Sequence, residues 1–177
     1  DRPYAGRRAA CPLFWTMGGQ QVGKAAIHGW KEVLAPGMLE PSSTLAIWPF
    51  SGPLNDLLKQ VDCVATETYP AEYYTHLGIT FSPHRLGRKS GKRVQQERAA
   101  NAGSLLKWAA SAQVHLEPSL SASILDGFGP KPEGEDLFDT IVGLFGMLNA
   151  LLGLRPIFEP ENIVIRKIEG WIFAQAL

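Results

Sequence analysis

Two apolar segments separated by a short helical segment constrain the fold of this chain more than any other feature. Residues 43–50 and 61–68 predict strands, because apolar and β-branched residues are concentrated in both of them. Residues 53–60 predict a short helix between them, with Pro53 in its first turn, where proline is tolerated. Strands that alternate with helices are typical of a layered architecture with a largely parallel sheet. We therefore expect an α/β fold.

Helical periodicity accounts for most of the remaining chain. Apolar positions recur at helical spacing over residues 20–34, and Pro36-Gly37 is expected to end that helix. The other predicted helices are 70–77, 94–112, 119–125 and 135–152, and the last should be deeply packed because apolar residues cover much of its surface. Residues 169–174 predict a final strand or an extended segment. Two or three strands are few for this length, so either the strands that begin the sheet are missing or the domain is helix-rich with two layers.

Length and charge exclude several classes of protein. The 177 residues suffice for one domain with a sizeable core, over residues 1–177. The formal net charge is zero, so attraction to nucleic acid or to a membrane would have to come from a local patch. We find no apolar run long enough to span a bilayer and no signal-peptide pattern, and therefore expect a cytoplasmic protein with no membrane partner. The chain does not begin with methionine, which suggests that upstream sequence is missing.

Three carboxylates lie where an α/β fold builds sites. Glu67 follows the second predicted strand, at the edge where sites form in open α/β sheets. Asp136 and Asp139 lie at the start of the last long helix, and their i, i+3 spacing places them on one face. Each has a simpler interpretation, Glu67 as a polar residue where the strand surfaces and the aspartates as first-turn acids that complement the helix dipole. Capping explains Asp136 better than Asp139, which lies one turn in among apolar residues.

Together these residues indicate a metal site. One strand-end carboxylate and two carboxylates on a helix face can converge on a single point. Magnesium and manganese prefer such oxygen ligands and keep several waters. Two ions roughly 3.5–4 Å apart can activate a water and stabilise the leaving oxygen in phosphodiester cleavage. That chemistry normally needs another carboxylate on a neighbouring strand, and the sequence offers no convincing candidate.

Several short motifs also occur in a defined order along the chain. They are Arg2-Pro3-Tyr4, Gly18-Gly19-Gln20-Gln21-Val22-Gly23-Lys24, Glu67-Thr68-Tyr69-Pro70, Glu135-Asp136-Leu137-Phe138-Asp139-Thr140 and Glu169-Gly170-Trp171-Ile172-Phe173. In these motifs the chain resembles the predicted RNase H-like nuclease family known as domain of unknown function 429. The resemblance covers nearly the whole chain, and the order and spacing of the motifs carry its specificity. It implies an RNase H-like layered fold, incomplete at the N-terminus and helix-rich in the C-terminal half.

The resemblance also implies site residues. The wider superfamily places an aspartate on the first strand, a glutamate at the end of a later strand, and one or two aspartates on a late helix. Glu67 matches the strand glutamate, and Asp136 and Asp139 match the helix pair, as catalytic residues and as ligands of Mg²⁺ or Mn²⁺. The first-strand aspartate has no match, so a non-catalytic binding or scaffold protein of the same fold stays the alternative. An incomplete sheet edge would need to be covered, or would pair with a partner or a second copy.

Two further segments suggest phosphate binding. The densest basic cluster consists of His84, Arg85, Arg88, Lys89, Lys92 and Arg93. A solvated loop is its simpler interpretation, whereas a nuclease would use Arg88, Lys89, Lys92 and Arg93 to hold the backbone of nucleic acid. A third hypothesis is nucleotide binding at Gly18–Lys24, which nearly matches a phosphate-binding loop. Ala25 replaces the hydroxyl that would bind magnesium there, so a glycine-rich helix start is the preferred interpretation.

Overall fold

The computed structural model describes residues 16–17, 22–40, 44–82 and 91–175. The structure is mixed α/β, with many helices and a two-stranded parallel sheet in this part of the chain, which confirms the predicted α/β class. The chain divides into two compact units. The first comprises the described residues up to Glu67 together with Phe158–Gln175, and the second comprises Thr68–Ile157. Among the helices of the described residues, none has the length and apolar character needed to cross a membrane.

The first unit contains the predicted β-α-β segment. Strand β1 (Leu45–Ile47) pairs in parallel with strand β2 (Cys63–Ala65), and the two are connected through a helix (Leu54–Gln60, the third in chain order). Both strands are shorter than predicted. Strand β1 cannot continue through Pro49, which has no N–H to donate to the ladder. Strand β2 is partly exposed rather than buried, because its first residue faces solvent.

The helical segment before β1 is longer than predicted. Helix α1 (Val22–Gly29) continues through a π-helical turn (Trp30–Leu34) into helix α2 (Ala35–Leu39), and the helix Leu54–Gln60 is therefore α3. The prediction that Pro36-Gly37 ends the helix was wrong. The N–H of Ala35 reaches back to the carbonyl of Trp30, and Pro36 then lies in the first turn of α2, where its missing N–H is not needed.

The tail of the first unit contributes a single bridge rather than a strand. A π-helical turn (Ile165–Glu169) ends at Gly170, whose φ of +82° is readily adopted only by glycine. Ile172 then forms an isolated parallel bridge with Glu67, and the N–H of Phe173 donates to the carbonyl of Glu67 at 2.8 Å. The backbone of Glu67 is thereby held between β2 and the tail.

The regular elements in the described part of the second unit are all helical. In chain order they are α4 (Pro70–Tyr73), a 3-10 turn (Gly91–Arg93), α5 (Gln95–Ala100), α6 (Ala102–Ser111), α7 (Pro118–Asp126) and α8 (Glu133–Leu151). The helix predicted over residues 94–112 is interrupted at Asn101. The buried side chain of Asn101 accepts a hydrogen bond from the N–H of Thr80 and donates one to the carbonyl of the same residue. These two bonds tie the α5–α6 junction to a segment distant in sequence, which local periodicity could not reveal.

Helix α8 buries one face rather than most of its surface. Phe138, Val142 and Phe145 are almost fully buried. Leu137, Leu144 and Leu151 are about half exposed and recur every seven residues, which places them along one stripe of the helix. The predicted deep packing is therefore correct only for the face that carries the phenylalanines.

A close approach between α4 and α8 fixes that buried face. Tyr73 of α4 is fully buried, and its ring lies where a side chain on Gly146 would be, since a Cβ there would come within 2.1 Å of the ring. The neighbouring Glu72 accepts a hydrogen bond of 2.7 Å from the buried guanidinium of Arg155. Glycine at position 146 thus permits the contact, and Glu72, the residue next to Tyr73 on α4, is held by Arg155 from beyond the end of α8.

Candidate functional site

A partly buried carboxylate on α8 is the centre of a candidate site in the second unit. The side chain of Asp139 is 24% exposed, and its Oδ2 accepts a hydrogen bond from Nζ of Lys92. The same ammonium lies 3.4 Å from Oε1 of Glu135. The other oxygen of Asp139, Oδ1, is buried and has no hydrogen-bond partner among the described residues. Buried carboxylate oxygens are normally satisfied, so this oxygen is an acceptor whose hydrogen-bonding capacity is unused in this part of the chain.

Burial and ion pairing shift the pKa values of Asp139 and Lys92 in opposite directions. Burial raises the pKa of Asp139, and the hydrogen bond and positive charge of Lys92 only partly offset that effect. Burial lowers the pKa of Lys92, but the hydrogen bonds and negative charges of Asp139 and Glu135 together outweigh it, so the pKa of Lys92 is raised. Lys92 therefore stays charged at neutral pH, beside two carboxylates.

The backbone that carries Lys92 is anchored by a buried arginine. Arg98 of α5 donates hydrogen bonds to the carbonyl of Lys92 at 2.6 Å, of Gly127 at 2.8 Å and of Gly129 at 2.6 Å. Gly127 ends α7 with a φ of +66°, and a Cβ there would lie 2.6 Å from the carbonyl oxygen of Gln95. The 3-10 turn is thus fixed to α5 and to the end of α7, which limits where the ammonium of Lys92 can lie.

The structure distinguishes the two aspartates predicted on this helix. Asp139 is paired and partly buried, whereas Asp136 is exposed in the first turn of α8, where an acid complements the helix dipole. Glu135, rather than Asp136, shares Lys92 with Asp139. Glu135 was not among the residues predicted for the site. Its i, i+4 spacing from Asp139 was the available signal, because residues four apart share a helix face.

Glu67 belongs to the first unit and lies just beyond β2, as predicted. Its side chain lines a cavity of about 370 Å³. Burial raises the pKa of the Glu67 carboxyl above its usual value. A carboxyl with a raised pKa in a cavity is a candidate for proton transfer as well as for metal binding. Within the first unit, Glu67 therefore combines a position on a cavity wall with a raised pKa.

The predicted metal ligands do not form a recognisable cluster in the described ranges. No group of three or more His, Cys, Asp or Glu side chains is arranged there to hold a metal ion. Asp136 and Asp139 belong to the second unit, and Glu67 belongs to the first. The pairing that the second unit does contain joins Asp139 and Glu135 through Lys92.

The predicted phosphate contacts fall only partly within the described residues. Lys92 bonds to Asp139, and Arg93 is exposed. The other members of the basic cluster, His84, Arg85, Arg88 and Lys89, lie outside the described residues, as do positions 18–21 of the glycine-rich segment. Lys24 of that segment is exposed on α1.

No protein-family model, no curated protein and no solved structure matches this chain.

Proposed function

We propose that this chain is a metal-dependent phosphodiesterase of RNase H-like fold that acts on nucleic acid. Asp139 is the central ligand of Mg²⁺ or Mn²⁺ in this proposal, and Asp136 of the same helix keeps its predicted role as a further ligand. One observation carries the proposal. The Oδ1 of Asp139 is buried without a hydrogen-bond partner among the described residues, although its other oxygen is paired. A hard divalent cation satisfies such an oxygen.

The residues around Asp139 fit a bound cation. The single ammonium of Lys92 lies beside two carboxylates, Asp139 and Glu135, so a net negative charge is left here for a cation. When bound, the metal supplies an activated water and neutralises charge on the leaving oxygen. In the proposal, Lys92 turns from the carboxylates toward a phosphate of the substrate. Arg93, together with Arg88 and Lys89, contacts the nucleic-acid backbone.

Cleavage of end-labelled RNA and DNA in the presence of Mn²⁺ tests the proposal. Asp139→Asn keeps the shape and the acceptor of the side chain but removes its charge, and we expect cleavage to fall by about 100-fold or more, because metal ligands are essential to this chemistry. Glu133→Gln is the matched control, since Glu133 is an exposed acid in the first turn of the same helix. Wild-type rates from the Asp139→Asn protein would rule out the assignment. Asp136→Asn, assayed in parallel, tests the other predicted ligand on this helix.

A non-catalytic binding protein of the same fold is the second candidate. The pairing of Lys92 with both Asp139 and Glu135 favours it, because these carboxylates already have a cation. Manganese titration followed by electron paramagnetic resonance separates the two candidates. The enzyme binds Mn²⁺ in a manner that Asp139→Asn removes, whereas the binding protein leaves the spectrum of the free ion unchanged.

A further inference from the structure

The cavity that Glu67 lines lies at the carboxyl edge of the parallel sheet. Its volume of about 370 Å³ is in the range of small-molecule pockets, and all of its lining residues belong to the first unit. Ile47 ends β1, Ala65 ends β2, and both line the cavity, as Glu67 does just beyond β2. Open α/β sheets bind their ligands at this edge. The place of the cavity in the fold therefore indicates a ligand site.

Two π-helical turns border the same cavity. The turn Trp30–Leu34 contributes three lining residues, and the turn Ile165–Glu169 contributes Glu169. Short π-helical segments are rare in proteins and occur frequently at functional sites. Two of them at one cavity support a binding role for it, independently of its position at the sheet edge.

The charged groups of the wall favour a cation. They are the carboxyl groups of Glu67 and Glu169, and no Lys, Arg or His side chain lines the described part of the wall. Neither carboxyl forms an ion pair with a described residue. The cation nearest to Glu169 in sequence, Lys167, donates instead to the backbone carbonyl of Phe50 at 3.1 Å. An anionic ligand would be repelled here, whereas an ammonium group would find uncompensated negative charge.

Most of the other lining residues are apolar or aromatic. Trp30 and Phe50 are partly exposed and can present ring surface to a ligand, whereas Trp48 and Trp171 are buried. The faces of such rings attract organic cations. Burial raises the pKa of Glu67 because its charged form is poorly solvated there, and an ammonium group beside it would stabilise that form. The wall thus combines a carboxylate for a charged head with apolar surface for the body of the ligand.

We propose that this cavity binds a small primary amine with an apolar body, whose ammonium group pairs with the carboxylate of Glu67. Glu169 adds negative charge at the wall, and the apolar body lies against the helical face that carries Ala26, Gly29 and Val33. The site belongs to the first unit alone. It goes beyond the phosphodiesterase activity proposed for the second unit and does not depend on it.

Isothermal titration calorimetry of the full chain in the presence of EDTA tests the proposal. The probes are benzylamine, phenethylamine and tryptamine, each compared with the alcohol of the same skeleton. We expect at least one amine to bind with saturation, about tenfold or more tighter than its alcohol, because hydrogen bonds between charged groups are the stronger ones. The proposal is overturned if no amine of the series binds, or if each amine binds no tighter than its alcohol.

A matched pair of variants measures the contribution of the carboxylate. Glu67→Gln keeps the shape of the side chain but removes its charge, and should weaken amine binding roughly ten- to a hundredfold, the loss expected for a hydrogen bond to a charged group. Binding of the alcohol should change little. Glu161→Gln removes an exposed acid of the first unit that does not line the cavity, and should leave both affinities unchanged. Equal amine affinity of wild type and Glu67→Gln would contradict the proposal.

Gly29 offers a steric test of where the ligand lies. It lines the cavity, its φ of −59° and ψ of −41° are ordinary helical values, and a Cβ there meets nothing within 4 Å. Gly29→Leu should therefore be tolerated by the fold and should block binding of the amine and the alcohol alike. Gly103→Leu adds the same side chain at an open position of α6 in the second unit and is the control. Unchanged amine binding by Gly29→Leu would place the ligand elsewhere and overturn the proposal.

Discussion

The buried guanidinium of Arg98 donates a hydrogen bond of 2.6 Å to the backbone carbonyl of Lys92. The side chain of Lys92 in turn bonds to Asp139 and lies beside Glu135. Through this chain of contacts, a fully buried residue of α5 anchors the backbone from which a charge reaches the candidate metal ligand on α8. Stability and site geometry are therefore linked at Arg98.

Replacing Arg98 with methionine should destabilise the protein strongly. The substitution keeps most of the apolar bulk but leaves the carbonyls of Lys92, Gly127 and Gly129 without their donor, and buried acceptors without partners are costly. We expect the free energy of unfolding to fall by roughly 3 kcal/mol or more, measured by urea denaturation. Arg93→Met, at an exposed position on the neighbouring turn, is the control and should change stability by less than about 0.5 kcal/mol. A small effect at Arg98 would show that water replaces its three bonds.

Replacing either of two helix glycines with alanine should change the free energy of unfolding, but in opposite directions. At Gly146 a Cβ would meet the ring of Tyr73 at 2.1 Å, so Gly146→Ala should lower the free energy of unfolding by about 1–3 kcal/mol through overpacking. At Gly103 of α6 a Cβ meets nothing within 4 Å, and Gly103→Ala should raise stability by up to about 1 kcal/mol through helix propensity. Thermal unfolding of both variants checks the pair. Stabilisation by both alanines would mean that α4 and α8 do not approach as closely as described.

The pH dependence of stability should reveal the environment of Glu67. Burial raises the pKa of this carboxyl in the folded protein above the usual value of 4.5. The protonated form is therefore favoured by folding, and its contribution to stability is complete below that usual value and is lost as pH rises through the raised pKa. Glu67→Gln has a neutral side chain at every pH. We expect its stability relative to wild type to increase as pH rises from the acid range to neutrality.

Urea denaturation of wild type and Glu67→Gln at a series of pH values measures this difference. The lowest pH provides the internal control, because the side chain at position 67 is neutral in both proteins there. A stability difference that does not vary with pH would contradict the burial of the Glu67 carboxyl.

The features that sequence predicted best are those that depend on neighbouring residues. The parallel β-α-β segment and α8 follow from local periodicity and from turn residues, and the structure confirms both. Asn101 interrupts the helix predicted over residues 94–112 because it bonds to Thr80, a contact that a helical pattern does not contain. Pro36 fails to end its helix because a π-helical turn precedes it.

In the candidate sites, too, local features could be predicted from the sequence and long-range contacts could not. Glu67, Asp136 and Asp139 were identified from residue type and position, but the pairing of Asp139 with Lys92 joins residues 47 apart in sequence. The cavity that Glu67 lines joins residues from both sides of the second unit, and a sequence shows only that these residues are present. Burial and hydrogen-bond satisfaction are properties of the assembled core, and no local pattern encodes them.

The division of the chain also has a consequence for the order in which its parts are synthesised. The second unit is one continuous stretch, Thr68–Ile157, whereas the first unit needs residues from both sides of it. During translation the second unit can leave the ribosome as an uninterrupted segment. The cavity of the first unit gains its wall of Glu169, Gly170 and Trp171 only afterwards, when the tail has been made. A nascent chain stalled before the tail would thus contain Asp139 and its partners while the cavity of the first unit still lacks part of its wall.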